Sequence, residues 1–369
     1  MLNYEQETLV ILMIVAATCS LLGAFIFLRR MSLITDGISH SILPGIVVAY
    51  LITGSVNSIL HFVFAVLAGI SFYYVTEFLQ KSRTLSSSTA IGLTFPLLFS
   101  IGVLLIGIYA RNVHLDYDIV ISGNLILEVF NRYTFNGVDL FPKIAPVALG
   151  NLILALVFIV MFYKELKISN FDPLLSFVMG FSPGLIRFIL LTLVSLTAVI
   201  SFKIVGSILV LGLMIIPPAS AKLLGRRLSS MLVLSVIFSL IFSYLGFILA
   251  VYFDLSIPGF VVTVMGIGYF CVYCFSPHSG QLSKLIRMKE EKIMTNINLL
   301  LVHISQHQNT PEEEQENSST QLFIHLRWSK EKTETAIKEA LKRNYIIEKD
   351  SIIHLTTEGH LLAKTLTEW

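Results

Sequence analysis

The sequence predicts an all-α polytopic membrane bundle of about nine transmembrane helices, followed by a small water-soluble C-terminal domain. Three observations carry that expectation. Of the 369 residues 55% are hydrophobic and 14% charged, and the mean hydropathy is +0.78, far more apolar than a soluble chain of this length requires. Apolar runs long enough to cross about 30 Å of hydrocarbon, which takes roughly 20 residues, recur as far as Phe275. The charge is uneven: residues 1–280 hold 14 Lys+Arg and 11 Asp+Glu, while the last 89 hold 12 and 13.

Uncharged spans run from Leu9 to Leu28, Ala90 to Ala110, Ile144 to Tyr163, Ile204 to Ala221, Met231 to Phe253 and Leu255 to Phe275. Three shorter or polar-marked spans, about Asp36 to Thr53, Ser58 to Leu79 and Leu185 to Phe202, complete the nine. Acidic residues, not basic ones, precede the first span, so it is expected as a retained helix, not a cleaved signal. Grouping Arg29, Arg30, Lys81, Arg83, Lys164, Lys167, Arg187, Lys222, Arg226 and Arg227 on one side leaves Arg111, Arg132, Lys143 and Lys203 on the other. The positive-inside rule then places the N-terminus outside and the C-terminus in the cytoplasm.

Two segments depart from this pattern. Arg111 to Pro142 mixes apolar residues with Asp116, Asp118, Glu128, Arg132 and Asp139, and is expected as an extracytoplasmic excursion or half-inserted helix. Asp172-Pro173 to Gly180 and Gly184 brackets a short apolar run, Leu174 to Met179, and reads as a short helix outside the membrane that is able to touch a soluble partner. Beyond Gly280 the expected order is a connecting helix (281–308), a flexible acidic linker (309–320) rich in glutamate, and a folded unit (321–369). In that unit Ser329 caps a helix ending near Asn344, a hairpin turns at Lys349-Asp350-Ser351, and Thr357-Glu358 opens a last helix. Helix, hairpin and helix in that order suggest a winged-helix domain.

The most informative polar residues are Asp36 and His40. On a helix they are i and i+4 neighbours, roughly 6 Å apart on one face. Ionisable groups at membrane depth mark transport paths, and carboxylate plus imidazole suits zinc, manganese or iron. The plainer alternative makes Asp36 a helix cap, which requires no histidine a turn later. Pro44-Gly45 strengthens the pathway reading, because a proline in a membrane helix frees a carbonyl and allows a bend beside the site. His303 and His307, also i and i+4, are candidates for metal sensing in the tail, against the alternative of a solvated helix face. Cys271-Val-Tyr-Cys274 has ligand-like spacing but no second pair, and is expected to pack as small hydrophobes. There is no G-x-x-x-x-G-K-[ST] loop and no readable nucleophile and base pair, so the chain is not expected to be an enzyme and its energy must come from a partner.

Arg30-Met31-Ser32-Leu33-Ile34-Thr35-Asp36-Gly37-Ile38-Ser39-His40-Ser41-Ile42-Leu43-Pro44-Gly45 resembles the early signature of the zinc/manganese/iron ABC transporter permeases. Phe171-Asp172-Pro173 to Met179-Gly180-Phe181, and Ile204 to Val210 through Ile216-Pro217-Pro218-Ala219-Ser220-Ala221, fit the same family, so the resemblance covers about residues 8–277. It implies a bacterial inner-membrane importer of Mn2+, Fe2+ or Zn2+ with no permanently bound cofactor. Its implied partners are an ABC ATPase, an extracytoplasmic metal-binding lipoprotein and a second permease subunit, identical or sister. It also implies that Asp36 and His40 line the pathway and that Asp172 to Gly184 contacts the ATPase. Members commonly stop soon after the last membrane helix, whereas this chain continues. Its ending, Leu355 to Ala363, resembles the winged-helix end of diphtheria-toxin-repressor-type metal regulators, which favours manganese or iron over zinc.

Two rival readings follow from the same residues. A membrane-tethered metal-responsive DNA-binding regulator would need a basic tail, but 12 basic residues face 13 acidic ones, so nucleic acid is not an expected partner. A permease for a larger chelate or vitamin needs a wide cavity, which a close Asp and His pair does not suggest.

Overall fold

Helix α1 (Tyr4–Leu28) is apolar on every face, so its place is inside the bundle. Val15 through Ile26 are all buried, and the helix packs against α7 (Ile144–Met161), α10 (Pro183–Val205), α11 (Ser207–Leu224) and α12 (Leu228–Tyr252). Close approach depends on small side chains, as expected where apolar lipid gives no hydrophobic drive between helices. A Cβ on Gly23 would lie 2.3 Å from the Met214 carbonyl oxygen, so only glycine lets α1 and α11 meet there. Ser20 Oγ donates to Ser239 Oγ at 3.1 Å, and Ser235 Oγ donates to the Ser20 carbonyl at 3.2 Å.

The computed structural model describes residues 4–29, 31, 33–54, 59–81, 85–109, 125–135, 138–225, 227–277 and 280–367. The chain divides into two compact units, Met1–Pro277 and His278–Trp369. Among the described residues of the first unit, nine segments are long and apolar enough to cross a membrane. Besides the five helices already given, they are the pair α2 (Leu33–Ser41) and α3 (Leu43–Thr53), α4 (Ile59–Lys81), α5 (Ser87–Tyr109) and α13 (Ile257–Phe275). One boundary differs from the hydropathy reading: Lys203 lies inside the last turn of α10, and the break falls at Gly206, whose φ of 80° suits glycine alone. Cys271 is exposed on α13, so it faces outward from the bundle instead of filling its core.

The mixed stretch after α5 contains a short helix, α6 (Leu125–Phe130), and an antiparallel hairpin of β1 (Arg132–Phe135) and β2 (Val138–Pro142). Its first part, residues 110–124, lies outside the described residues, as do Arg30, Ser32, Arg83 and Arg226. Arg132 grips Glu7 with two parallel bonds of 2.6 and 3.0 Å, and Lys203 Nζ is 3.2 Å from Glu128. At the other end of α1, Arg29 donates to Asn170 and, at 2.9 Å, to Ser169 Oγ, both on α8 (Tyr163–Phe171). Arg187 lies 3.3 Å from Glu77. Arg132 and Lys203 thus share the end of the bundle where α1 begins, and Arg29 ties the other end of α1 to α8.

The second unit is built on α14 (Gln281–His307), whose buried face of Ile297, Leu300, Leu301 and Ile304 supports α17 (Lys330–Lys342) and α18 (Thr357–Thr367). Between them, β3 (Ile346–Lys349) and β4 (Ile352–Leu355) form a hairpin closed by Asp350 and Ser351, both at positive φ, as a tight hairpin turn needs. Ser329 Oγ accepts the Lys332 amide and caps α17. The acidic stretch 309–320 was expected to be flexible, but it is folded into this unit. It contains α15 (Glu313–Glu316) and leads to α16 (Leu322–His325). Its order comes from partners distant in sequence: Glu313 lies 3.1 Å from His354 Nδ1, Asn317 is fully buried, and the Asn317 carbonyl accepts the Ile353 amide at 3.0 Å.

Candidate metal pathway

Asp36 and His40 occupy one face of α2, one turn apart, with His40 Nε2 3.6 Å from Asp36 Oδ1. That gap is too long for a hydrogen bond. Two ligands each about 2.1 Å from one ion lie roughly 3 to 3.5 Å apart, so small side-chain movement converts the pair into a chelate. Both side chains stay accessible, at 40% for Asp36 and 47% for His40, although their neighbours Thr35, Gly37, Ile38 and Ser39 are buried. The pair faces away from the packed interior of its own chain.

Three local features hold it there. Gly37 allows α2 to lie against α4, since a Cβ at that position would fall 2.1 Å from the Phe72 ring. The His40 ring rests near Phe95 and Phe99 of α5, with centroids 5.6 and 6.2 Å away. Helix α2 passes into α3 at Ile42, whose own dihedrals stay helical. Pro44 sits in the first turn of α3 and has no N–H to offer the His40 carbonyl, so an oxygen acceptor is released beside the pair. Gly45 follows because α3 crosses α4 closely, where a Cβ would lie 2.3 Å from the Phe64 carbonyl oxygen.

The second candidate region is also a local construction. Asp172 caps α9 (Pro173–Val178), its carboxylate accepting the Leu174 and Leu175 amides at 3.1 and 2.9 Å, and Pro173 takes the first helical position. Gly180, at φ 85°, ends the helix: its amide donates to Phe177 and that of Phe181 to Ser176, the paired bonds of a left-handed C-terminal cap. Gly184 lies exposed in the first turn of α10. Between these stops α9 presents Leu174, Phe177 and Val178 to the surface. Sequence reasoning singled out the bracketing residues and, at Pro44-Gly45, a place for a bend beside the pair, but missed Phe95 and Phe99.

The sequence pattern of the ABC 3 transport family matches residues 1–276. The chain belongs to that family. It is 39% identical to the zinc transport system membrane protein TroD of Treponema pallidum over 360 residues, covering 97% of this chain and 98% of the relative. It is 36% identical to the manganese transport system membrane protein MntD of Bacillus subtilis over 286 residues, 78% of this chain and 97% of that one. A solved structure described as PsaBC from Streptococcus pneumoniae in complex with Fab superposes with a TM-score of 0.63 at 25% identity, covering 78% of this chain and 96% of the other. The family match ends where the first unit ends, while the likeness to TroD runs on through the second.

Proposed function

We propose that this chain is the membrane permease subunit of an ATP-driven importer of divalent transition-metal ions, and that the ion passes between Asp36 and His40. The chain is a permease and not an enzyme; ATP is hydrolysed on a separate subunit. Family membership and the zinc and manganese systems to which the relatives belong support the transport role. The observation that carries the pathway assignment is the accessible Asp36 and His40 pair, 3.6 Å apart, on a helix of membrane-spanning character.

One carboxylate and one imidazole are too few to trap an ion. A path must bind weakly enough to release its cargo, and a closed four-ligand set would hold it. A second permease subunit facing this one would bring two carboxylates and two imidazoles to a shared axis, with the His40 carbonyl as a further oxygen station. The capped helix α9, with its outward apolar residues, is the surface on which the ATPase would act, Asp172, Pro173, Gly180 and Gly184 fixing its ends. On this reading that end of the bundle faces the cytoplasm, the N-terminus lies outside, and a metal-binding lipoprotein docks at the outer mouth. The order α17, β3, β4, α18 supports reading the tail as a winged-helix domain like that of metal-responsive regulators.

The test is uptake of radiolabelled manganese and zinc by cells expressing Asp36→Ala or His40→Ala at the level of the unaltered chain. Both should lose most uptake of the transported ion; unimpaired uptake at equal expression would refute the assignment.

A further inference from the structure

The soluble unit gathers three imidazoles and several carboxylates that the transport pathway does not use. His303 and His307 sit one turn apart on α14 with ring centroids 4.9 Å apart, and the acidic segment folds back so that Glu316 faces them. One ligand atom from each of His303, His307 and Glu316 lies within 4.8 Å of the other two, and all three residues are half-buried. We infer that His303, His307 and Glu316 form a second metal site, distinct from the membrane pathway, whose ligand is Zn2+.

The geometry suits an ion. A point central to a triangle of that size is under about 3 Å from each corner, so side-chain adjustment alone reaches the roughly 2.0 to 2.2 Å of zinc bonds to nitrogen and carboxylate oxygen. Outer contacts already orient the ligands. His325 Nδ1 lies 2.8 Å from Glu316 Oε2, fixing the carboxylate, and Glu312 approaches His307 Nδ1 at 3.9 Å. The His303 Nε2 atom is 3.2 Å from the Glu316 carbonyl, so the acidic turn is held against α14 before any metal arrives. Two nitrogens and one oxygen favour zinc over manganese, which prefers oxygen sets and lies lower in the affinity order. Three protein ligands leave a fourth position for water.

Bound there, zinc would clip α14 to the 313–325 segment and make occupancy a local fold-ordering event. The site stands independently of Asp36 and His40, and the experiment keeps the two apart. Of the two tryptophans in the sequence, Trp328 follows His325 by three residues and packs against the core of the second unit. Tryptophan emission from the full chain in detergent therefore reports on this site. Zn2+ and, separately, Mn2+ are titrated against the unaltered chain, the Asp36→Ala/His40→Ala pair and the His303→Gln/His307→Gln pair, with bound zinc counted by atomic absorption. A saturable zinc-dependent change is expected in the first two, with one fewer zinc retained and no saturable change in the third. Manganese should act only at much higher concentration. His325→Gln, which removes an orienting partner and no ligand, should weaken zinc by about tenfold. If circular dichroism shows the histidine pair misfolded, Glu316→Gln, which keeps the side-chain size, replaces it and should show the same loss. Unchanged zinc affinity and count in the variant that folds, or no zinc response in the unaltered chain, would overturn the site.

Discussion

Asp36 and His40 acquire their meaning from residues that never touch an ion. Their accessibility follows from which neighbours are buried: Ile34 and Ile38 take the core-facing positions of α2, leaving positions 36 and 40 on the outward face. Gly37 and Gly45 keep that face in place by letting α2 and α3 approach α4. Gly45→Ala should therefore displace α3, because the clash is with the Phe64 backbone and no side chain can swing aside. An over-packing cost of about 1 to 3 kcal/mol is expected, read as a lower melting temperature in detergent together with reduced metal uptake. Unchanged melting would mean that the two helices are not as close as described. Pro44→Ala has a different consequence: it returns an amide to the His40 carbonyl, so uptake should fall while stability holds or rises.

At the scale of elements, α9 depends on its ends because six residues are too few to be stable alone. Asp172→Ala removes both amide acceptor bonds and should cost about 1 kcal/mol locally, whereas Asp172→Asn retains a good cap. Uptake should fall in the alanine variant more than in the asparagine variant, at equal amounts of protein. Short helices with such punctuation are legible in sequence, since Asp-Pro and Gly mark start and stop without reference to distant residues. The nine spans are legible for the same reason, as hydropathy is local. The acidic stretch 309–320 is not. Its glutamates look solvated until the fold turns the stretch back on itself and sets His303 and His325 beside Glu316 and the distant His354 beside Glu313. The break at Gly206 was obscured by Lys203, whose charge seemed to end a helix but is offset by Glu128 of another element.

For the whole molecule, two kinds of solvent explain two kinds of surface. The bundle turns Leu104, Ile108, Val160 and Phe270 outward, an arrangement suited to hydrocarbon, while the second unit encloses its own core of Leu300, Leu301, Leu322 and Ile353. Separate cores mean separate stabilities. A chain ending at Pro277 should still insert and give a monodisperse detergent-solubilised species by size-exclusion chromatography; aggregation of that shortened chain would show that the bundle relies on the tail. The deepest question is whether metal moves past Asp36 and His40. With the complete transporter reconstituted in vesicles, metal uptake and ATP hydrolysis can be measured side by side for the unaltered chain and for Asp36→Ala/His40→Ala. The expected result is retained ATP hydrolysis with uptake reduced to background, and uptake per ATP equal to that of the unaltered chain would contradict a pathway through this pair.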